Sequence, residues 1–230
     1  MKILLLDTSS KFLSLAVAKD NRILRRKQKL LDRRHSAQLA SLIDKILKKA
    51  GLSIKDIDGF CVSKGPGSFT GLRVGITAVK GLAYALRKPV VAIPTLDILA
   101  QNALKDKKFS KKLICPIVDA RQNKVYACLY QSKNGAIKRQ GRYLLLSLGE
   151  LLRELKGEIF FLGDALSLYR EQIRKIRGIK AVFANEKLWY PKISEAVPLA
   201  LERFRKGKLD DVNSLKPLYL YPKECQIKHK

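Results

Sequence analysis

Histidine, sulfur, aromatic and acidic residues are all scarce in this chain, and each shortage closes off a class of chemistry. Of 230 residues two are histidine, His35 and His229, one is methionine, one is tryptophan, and aromatics make up 7%. A histidine-based catalytic metal centre needs two or three imidazoles with a carboxylate. With His229 in the tail, a single histidine is left for that role. The four cysteines, Cys61, Cys115, Cys128 and Cys225, form no C-x-x-C pair. Free thiols and a cytoplasmic setting are therefore expected. No apolar run approaches the roughly eighteen residues of a membrane-spanning helix. The opening "MKILLLDTSS" has a short apolar run that Asp7 ends. It is too short for a signal-peptide core and reads as a first buried strand.

What is present is a globular composition, 47% apolar and 29% charged, in a chain long enough for one or two domains. Its charge is one-sided: 47 Lys and Arg face 20 Asp and Glu, a net +27. Bases cluster at Arg22 to Arg34, Lys105 to Lys112 and Arg203 to Lys208. Such a field draws polyanions, RNA above all. A Lys-rich bias of the host accounts for the same numbers, and no aromatic-interleaved RNA motif accompanies them. Both readings stay open.

Periodicity organises the chain. Lys2 to Leu6, Phe12 to Lys19 and a run from Arg22 read as three strands, followed by an amphipathic helix over Ser36 to Ala50. A short strand, Gly59 to Lys64, precedes the glycine-rich "SKGPGSFTGLRVG" and a helix over Thr70 to Leu86. Lys88 to Ile93 is a further strand, and Pro94-Thr95 starts another helix. The order β-β-β-α-β-α-β-α matches the ribonuclease-H-like half of actin-like ATPases, a likeness of fold and not of function. "KDKKFSKK" reads as a linker. The domains expected are residues 1–108, a smaller α/β lobe over 109–190, a helix over 191–207 returning to the first lobe, and a docked tail over 208–230. Pro198 should kink or break that returning helix. Ser147 with Glu150 forms a capping box, and Asn134-Gly135 a hairpin turn.

The glycine-rich loop fails the phosphate fingerprints. Five residues after Gly67, where the P-loop pattern needs glycine and then lysine, stands Leu72; a G-x-G-x-x-G frame from Gly65 meets Thr70. The following helix carries Gly71, Gly75, Ala78, Gly81 and Ala85 as a small-residue stripe. Interior glycines cost a helix up to about 1 kcal/mol each against alanine, so a use for them is expected. Packing on a neighbouring element of the same chain and packing on another subunit both fit. Asp7-Thr8-Ser9 and Asp119 end strands where a carboxylate either holds a metal or phosphate or caps its own turn. No nucleophile stands beside a plausible base.

Taken together, "ILLLDTSS", "RRHSAQLASLIDKILKKAGLSIKDID", "SKGPGSFTGLRVGITAVKGLAYAL", "PVVAIPTLDILA" and "DARQNKVYA" closely resemble the TsaB (YeaZ) family of the bacterial tRNA threonylcarbamoyladenosine pathway. The likeness is strong over the first ~130 residues and thins to "FLGDA" and "LKPLYLY" beyond. It implies a two-lobed actin-like (ASKHA) α/β fold with a mixed sheet flanked by helices in each lobe. The function implied is a non-catalytic paralogue of TsaD, the enzyme that modifies adenosine 37 of ANN-decoding tRNAs. TsaD carries an H-x-x-x-H metal pair after a strand ending in "IP"; here Asp97 and Gln101 stand at those places, which implies neither metal nor transferase chemistry. The implied partners are TsaD, TsaE through the complex, and a second copy of the chain, with no membrane; tRNA through the basic surface is the polyanion reading of the charge, which stays open. No cofactor is expected in the isolated chain, the interface with TsaD being the place for ADP or ATP. The implied partner surface is His35, Leu39, Leu42, Ile43 and Ile46 on the first long helix. On the second it is Phe69, Thr70, Gly71, Leu72, Arg73, Gly75, Ile76, Ala78 and Val79. Asp7, Thr8, Ser9 and Asp119 are the places of a vestigial nucleotide site, and an ATPase or small-molecule kinase using Asp7 and Asp119 is the alternative.

Overall fold

The computed structural model describes residues 1–30, 35–109, 113–133 and 135–221, with side chains of the first helix from Gln38 onward. The side chain of His35, together with Asn134, Cys225 and His229, lies outside the described residues. In chain order the elements of the first half are β1 (Lys2–Asp7), β2 (Phe12–Lys19), β3 (Arg22–Leu30), α1 (His35–Lys49), β4 (Gly59–Ser63), α2 (Phe69–Leu86), β5 (Val90–Ile93) and α3 (Thr95–Gln101). Then follow β6 (Leu113–Arg121), β7 (Lys124–Lys133), β8 (Ala136–Ser147), α4 (Leu148–Arg153), β9 (Gly157–Leu162), α5 (Leu166–Arg174), β10 (Ile179–Phe183) and α6 (Val197–Arg205).

Two compact units result, Met1–Ile98 with Pro191–Pro217, and Leu99–Tyr190 with Leu218–Lys230. The division falls within α3 instead of at residue 108, and hydrogen bonding explains why. Asn102 Nδ2 donates to the carbonyls of Leu188 at 3.1 Å and Tyr190 at 2.8 Å. Asp106 accepts from the Asn185 amide at 2.9 Å. The stretch before the lysine run is thereby tied to the second unit. The tail, too, is shared: Leu215 is buried in the core of the first unit, while Tyr221 donates to the Ala120 carbonyl of the second at 2.9 Å.

In the first unit the strand order is β3-β2-β1-β4-β5. Strand β1 pairs antiparallel with β2 and parallel with β4. Alternation along β1 and β2 sorts the core. Leu4, Leu6, Leu13, Leu15 and Val17 face α1 and α2, and Ile3, Leu5, Ala16 and Ala18 face α6 and Ile98 of α3. Pro198 does not kink the last helix. It sits in the first turn of α6, where its missing N–H removes no helical bond, and a short 3-10 turn over Ile193–Ala196 precedes it.

In the second unit the order is β10-β9-β6-β7-β8, again with antiparallel pairing on one side of the first strand and parallel pairing on the other. The capping box at α4 is formed, Ser147 Oγ accepting from the Glu150 amide while the Glu150 carboxylate accepts from the Ser147 amide. Two mixed five-stranded sheets of one repeated order, each with helices on its faces, are the ribonuclease-H-like pair of the actin-like (ASKHA) fold.

Candidate partner-binding surface on α1 and α2

The glycine-rich loop is stitched to the turn after β1. Ser68 donates its amide to the Ser9 carbonyl at 2.7 Å, and its hydroxyl caps α2 by accepting from the Gly71 amide at 3.2 Å. Thr8 Oγ1 donates to the Gly71 carbonyl at 2.7 Å. A Cβ on Gly71 would overlap the Thr8 carbonyl oxygen, one on Gly75 the Thr8 hydroxyl, and one on Gly67 the Ser9 carbonyl oxygen. These three glycines therefore let the loop and α2 close onto their own chain. That corrects the expectation that Gly71 and Gly75 make room for a second protein.

Asp7 lies beneath this contact with no exposed surface. Its Oδ1 accepts from the Ser63 hydroxyl and from the Ser9 amide, the latter at 3.0 Å, while Oδ2 has no hydrogen-bond partner. Burial pushes its carboxyl above the usual range, against the opposing pull of the bonds from Ser63 and Ser9. Thr8 and Ser9 are likewise buried. Asp119 belongs to the second unit, where its carboxylate pairs with Arg121 at 3.2 Å and accepts that residue's amide at 2.8 Å. Its own amide donates to Asp164 at 3.0 Å. Burial raises the Asp164 carboxyl, against the opposing pull of the bond from the Asp119 amide and with a further push from the Asp119 carboxylate. Asp97 and Gln101 lie one turn apart on α3. Among the described residues no three His, Cys, Asp or Glu side chains group to hold a metal ion.

The outward side of α2 differs. Between α1 and α2 runs an apolar groove of about 950 Å³, lined on one wall by Leu39, Ala40, Ile43 and Leu47 and on the other by Val74, Thr77, Ala78, Gly81 and Leu82. Leu52 and Ile54 close one end, and Arg73 and the Asp44–Lys48 pair, 2.9 Å apart, stand on its rim. A Cβ on Gly81 would meet nothing within 4 Å. Phe69, 42% exposed, lies at the head of α2 under the Arg73 guanidinium, whose carbon is 3.9 Å from the ring centroid. Tyr84, near the far end of α2, is 75% exposed.

Of the surface the resemblance implied, Leu39, Ile43, Arg73 and Ala78 line the groove, and Phe69 and Thr70 are exposed beside it. Leu42, Ile46, Leu72, Ile76 and Val79 do not line it and fill the chain's own core, to which Leu39 and Ile43 also contribute. They are corrected as contact residues, because the face they share carries α1 and α2 onto the sheet. Val74, Thr77 and Gly81 are groove residues that the sequence reading left out of the surface. Helical spacing could have found them, since 3.6 residues per turn puts Gly81 about 120° around the helix from Gly75.

Comparison with known proteins gives this surface its context. A family model described as TsaD, tRNA N6-adenosine threonylcarbamoyltransferase, matches residues 27–228. The tRNA threonylcarbamoyladenosine biosynthesis protein TsaB of Bacillus subtilis (strain 168) is 32% identical, the match covering 99% of this chain and 97% of that protein. Among solved structures, YeaZ from Pseudomonas aeruginosa matches with a TM-score of 0.82 at 28% identity, over 95% of this chain and 99% of that one. An activator of 2-hydroxyisocaproyl-CoA dehydratase from Clostridium difficile, solved with bound ADPNP, shares the fold at a TM-score of 0.51 and 12% identity, covering 95% of this chain and 100% of that one.

Proposed function

The chain belongs to the TsaB (YeaZ) family of tRNA threonylcarbamoyladenosine biosynthesis proteins, and from that membership we propose that it is the non-catalytic scaffold and activating subunit of the modifying complex. It binds TsaD, and pairs with a second copy of itself, through the α1–α2 groove; TsaE joins through the complex. The observation that carries this reading is Gly81. A glycine inside an exposed helix costs about 1 kcal/mol against alanine, and nothing in the chain itself needs this one bare. Its use lies outside the chain, in the close approach of another helix to an apolar groove.

Absence of catalysis rests on α3, where Asp97 and Gln101 occupy the places of the TsaD-type histidines. The buried Asp7 argues against an ATPase or kinase, because its carboxyl turns to Ser63 and Ser9. No cofactor is assigned to the isolated chain, and ADP or ATP belongs to the surface shared with TsaD.

The test is Thr77→Arg and Gly81→Arg, both at exposed helical positions that arginine occupies without strain. Co-purification with TsaD and concentration-dependent dimerisation should each fall at least about tenfold, a change of about 1.4 kcal/mol, at unchanged melting temperature. Well-folded variants that still dimerise and bind TsaD at full strength would show the surface to be misassigned. Threonylcarbamoyladenosine formation in a reconstituted system that does not depend on this chain would overturn the function.

A further inference from the structure

The open edge of the first sheet carries a charge that the fold does not use. Between Asp20 and Asp32 the chain has no acid. In the structure this run is β3, the edge strand, and Arg25 through Leu30 are exposed without interruption. Among the described residues none of Arg22, Arg25, Arg26, Lys27 and Lys29 stands in an ion pair; Asp20 pairs with the N-terminus, Asp44 with Lys48, Asp210 with Arg203 and Lys64, and Glu202 with Lys206. Alternation sends Arg25, Lys27 and Lys29, opposite Val17, Leu15 and Leu13, to one face and Arg26 to the other.

A second observation lies beside the strand. Arg26, Lys27 and Gln28 form one wall of a shallow groove of about 300 Å³, and Lys192 and Ser194 form the other. Gln28 donates to Ser14 Oγ at 3.2 Å on the groove floor. Arg26 from β3 and Lys192 from a separate part of the chain thus flank, with neutral hydrogen-bonding groups between them, a space open to solvent, while Arg25, Lys27 and Lys29 line the other face of the same edge. A charged edge also deters strand-to-strand association, a task that one or two lysines fulfil and that gives no reason for Lys192 across the groove.

We infer that the β3 edge and its groove bind the phosphodiester backbone of a folded RNA. The inference rests on the proposed function for the nature of the RNA, the tRNA on which the complex acts. The contacts are positioning ones, made by cations to phosphate and blind to base sequence. An anionic membrane is the other polyanion to consider. Stable surface binding there wants an apolar anchor beside the basic patch, and along β3 the single exposed large apolar side chain is Leu30.

The experiment measures binding of the full chain to an unmodified tRNA transcript by fluorescence anisotropy across a salt series. Parallel measurements use phosphatidylserine–phosphatidylcholine vesicles and TsaD co-purification. Arg25→Glu/Arg26→Glu/Lys27→Glu should weaken tRNA binding at least about tenfold and flatten the log–log salt slope by about 2. Arg25→Gln/Arg26→Gln/Lys27→Gln should weaken it less, and Lys192→Gln by a few fold. A control with the same charge change scattered over the second unit, Arg153→Glu/Lys156→Glu/Lys175→Glu, should stay within about twofold of the parent, as expected if only local phosphate contacts count. Equal losses in the two triple variants would reduce the effect to diffuse charge and overturn the inference. So would a parent chain without salt-dependent tRNA binding, or a β3 variant that loses vesicle binding alone. In each of those cases retained TsaD binding leaves the scaffold function standing, whereas tRNA binding without TsaD binding breaks the scaffold and spares the edge.

Discussion

On one side of α2, Gly71 and Gly75 press against Thr8; Gly81, about a third of a turn around the helix from Gly75, borders with Ala78 an open apolar groove. Composition does not separate the two sides, for both are bare. Their surroundings do. At Gly71 and Gly75 the missing side chain is filled by the chain's own β1–β2 turn, so glycine there serves folding. At Gly81 the space stays empty, so glycine there weakens the isolated helix and, on the proposed function, has its use in association. A helix glycine is thus informative about partners only after its own chain has been shown not to need it.

The comparison breaks most visibly through the turn-facing glycines. Gly71→Ala forces the Thr8 carbonyl, a backbone atom, to move, and should cost about 3 kcal/mol or more in thermal or urea unfolding. Gly75→Ala meets only the Thr8 hydroxyl and should cost about 1–3 kcal/mol. Thr8→Ala removes that hydroxyl at the loss of its hydrogen bond to the Gly71 carbonyl, worth about 1 kcal/mol. Combined with Gly75→Ala it should therefore show a favourable coupling of about 1 kcal/mol or more. Combined with Gly71→Ala it should recover almost nothing. If Thr8→Ala rescues both glycine variants equally, the two contacts have been wrongly distinguished.

Beneath the same turn, Asp7→Asn sharpens the picture through pH. Burial raises the Asp7 carboxyl in the folded chain above its unfolded value. The folded state therefore holds the proton more tightly, and the stability linked to it is present at low pH and lost as pH rises through the folded value. Asparagine keeps an acceptor for Ser63 and Ser9, and offers a neutral amide where Oδ2 has no partner. The variant should melt higher than the parent near neutral pH, by an amount that shrinks to nothing below about pH 4, the ordinary aspartate range. A loss of stability that is greatest at neutral pH would mean that Asp7 works as a buried anion.

Much of this architecture was legible from residue order. The apolar run of "KILLLD" and the partial alternation of "FLSLAVAK" read as strands, and the capping pair Ser147 and Glu150 marks the start of α4. The division of the chain was less so, because the bonds that draw residues 102–106 into the second unit come from Leu188, Tyr190 and Asn185, far along the sequence. Left-handed backbone at Arg121, Gln122 and Asn123 also went unannounced, since none of them is glycine. At the candidate surface, the helices were readable and their contact residues only in part. Apolar residues such as Leu42 and Ile76 share one periodicity whether they face a sheet or a partner. The stripe from Gly71 to Ala85 looked continuous although its members wind around the helix toward different neighbours.

The smallest effect separates the two sides most cleanly. Gly81→Ala adds a methyl group to open space, so it should stabilise the isolated chain by up to about 1 kcal/mol, the helix-propensity difference alone. The same methyl group stands in the groove where another helix would approach, so association with TsaD and with a second copy should weaken by a few fold. Stability and binding then move in opposite directions, whereas at Gly75 they fall together because the fold itself is strained. Unfolding curves and sedimentation on the one variant read both quantities. A Gly81→Ala chain that is more stable and binds as tightly as the parent would place the partner on another part of α2, with the exposed Phe69 and Tyr84 as the next positions to change.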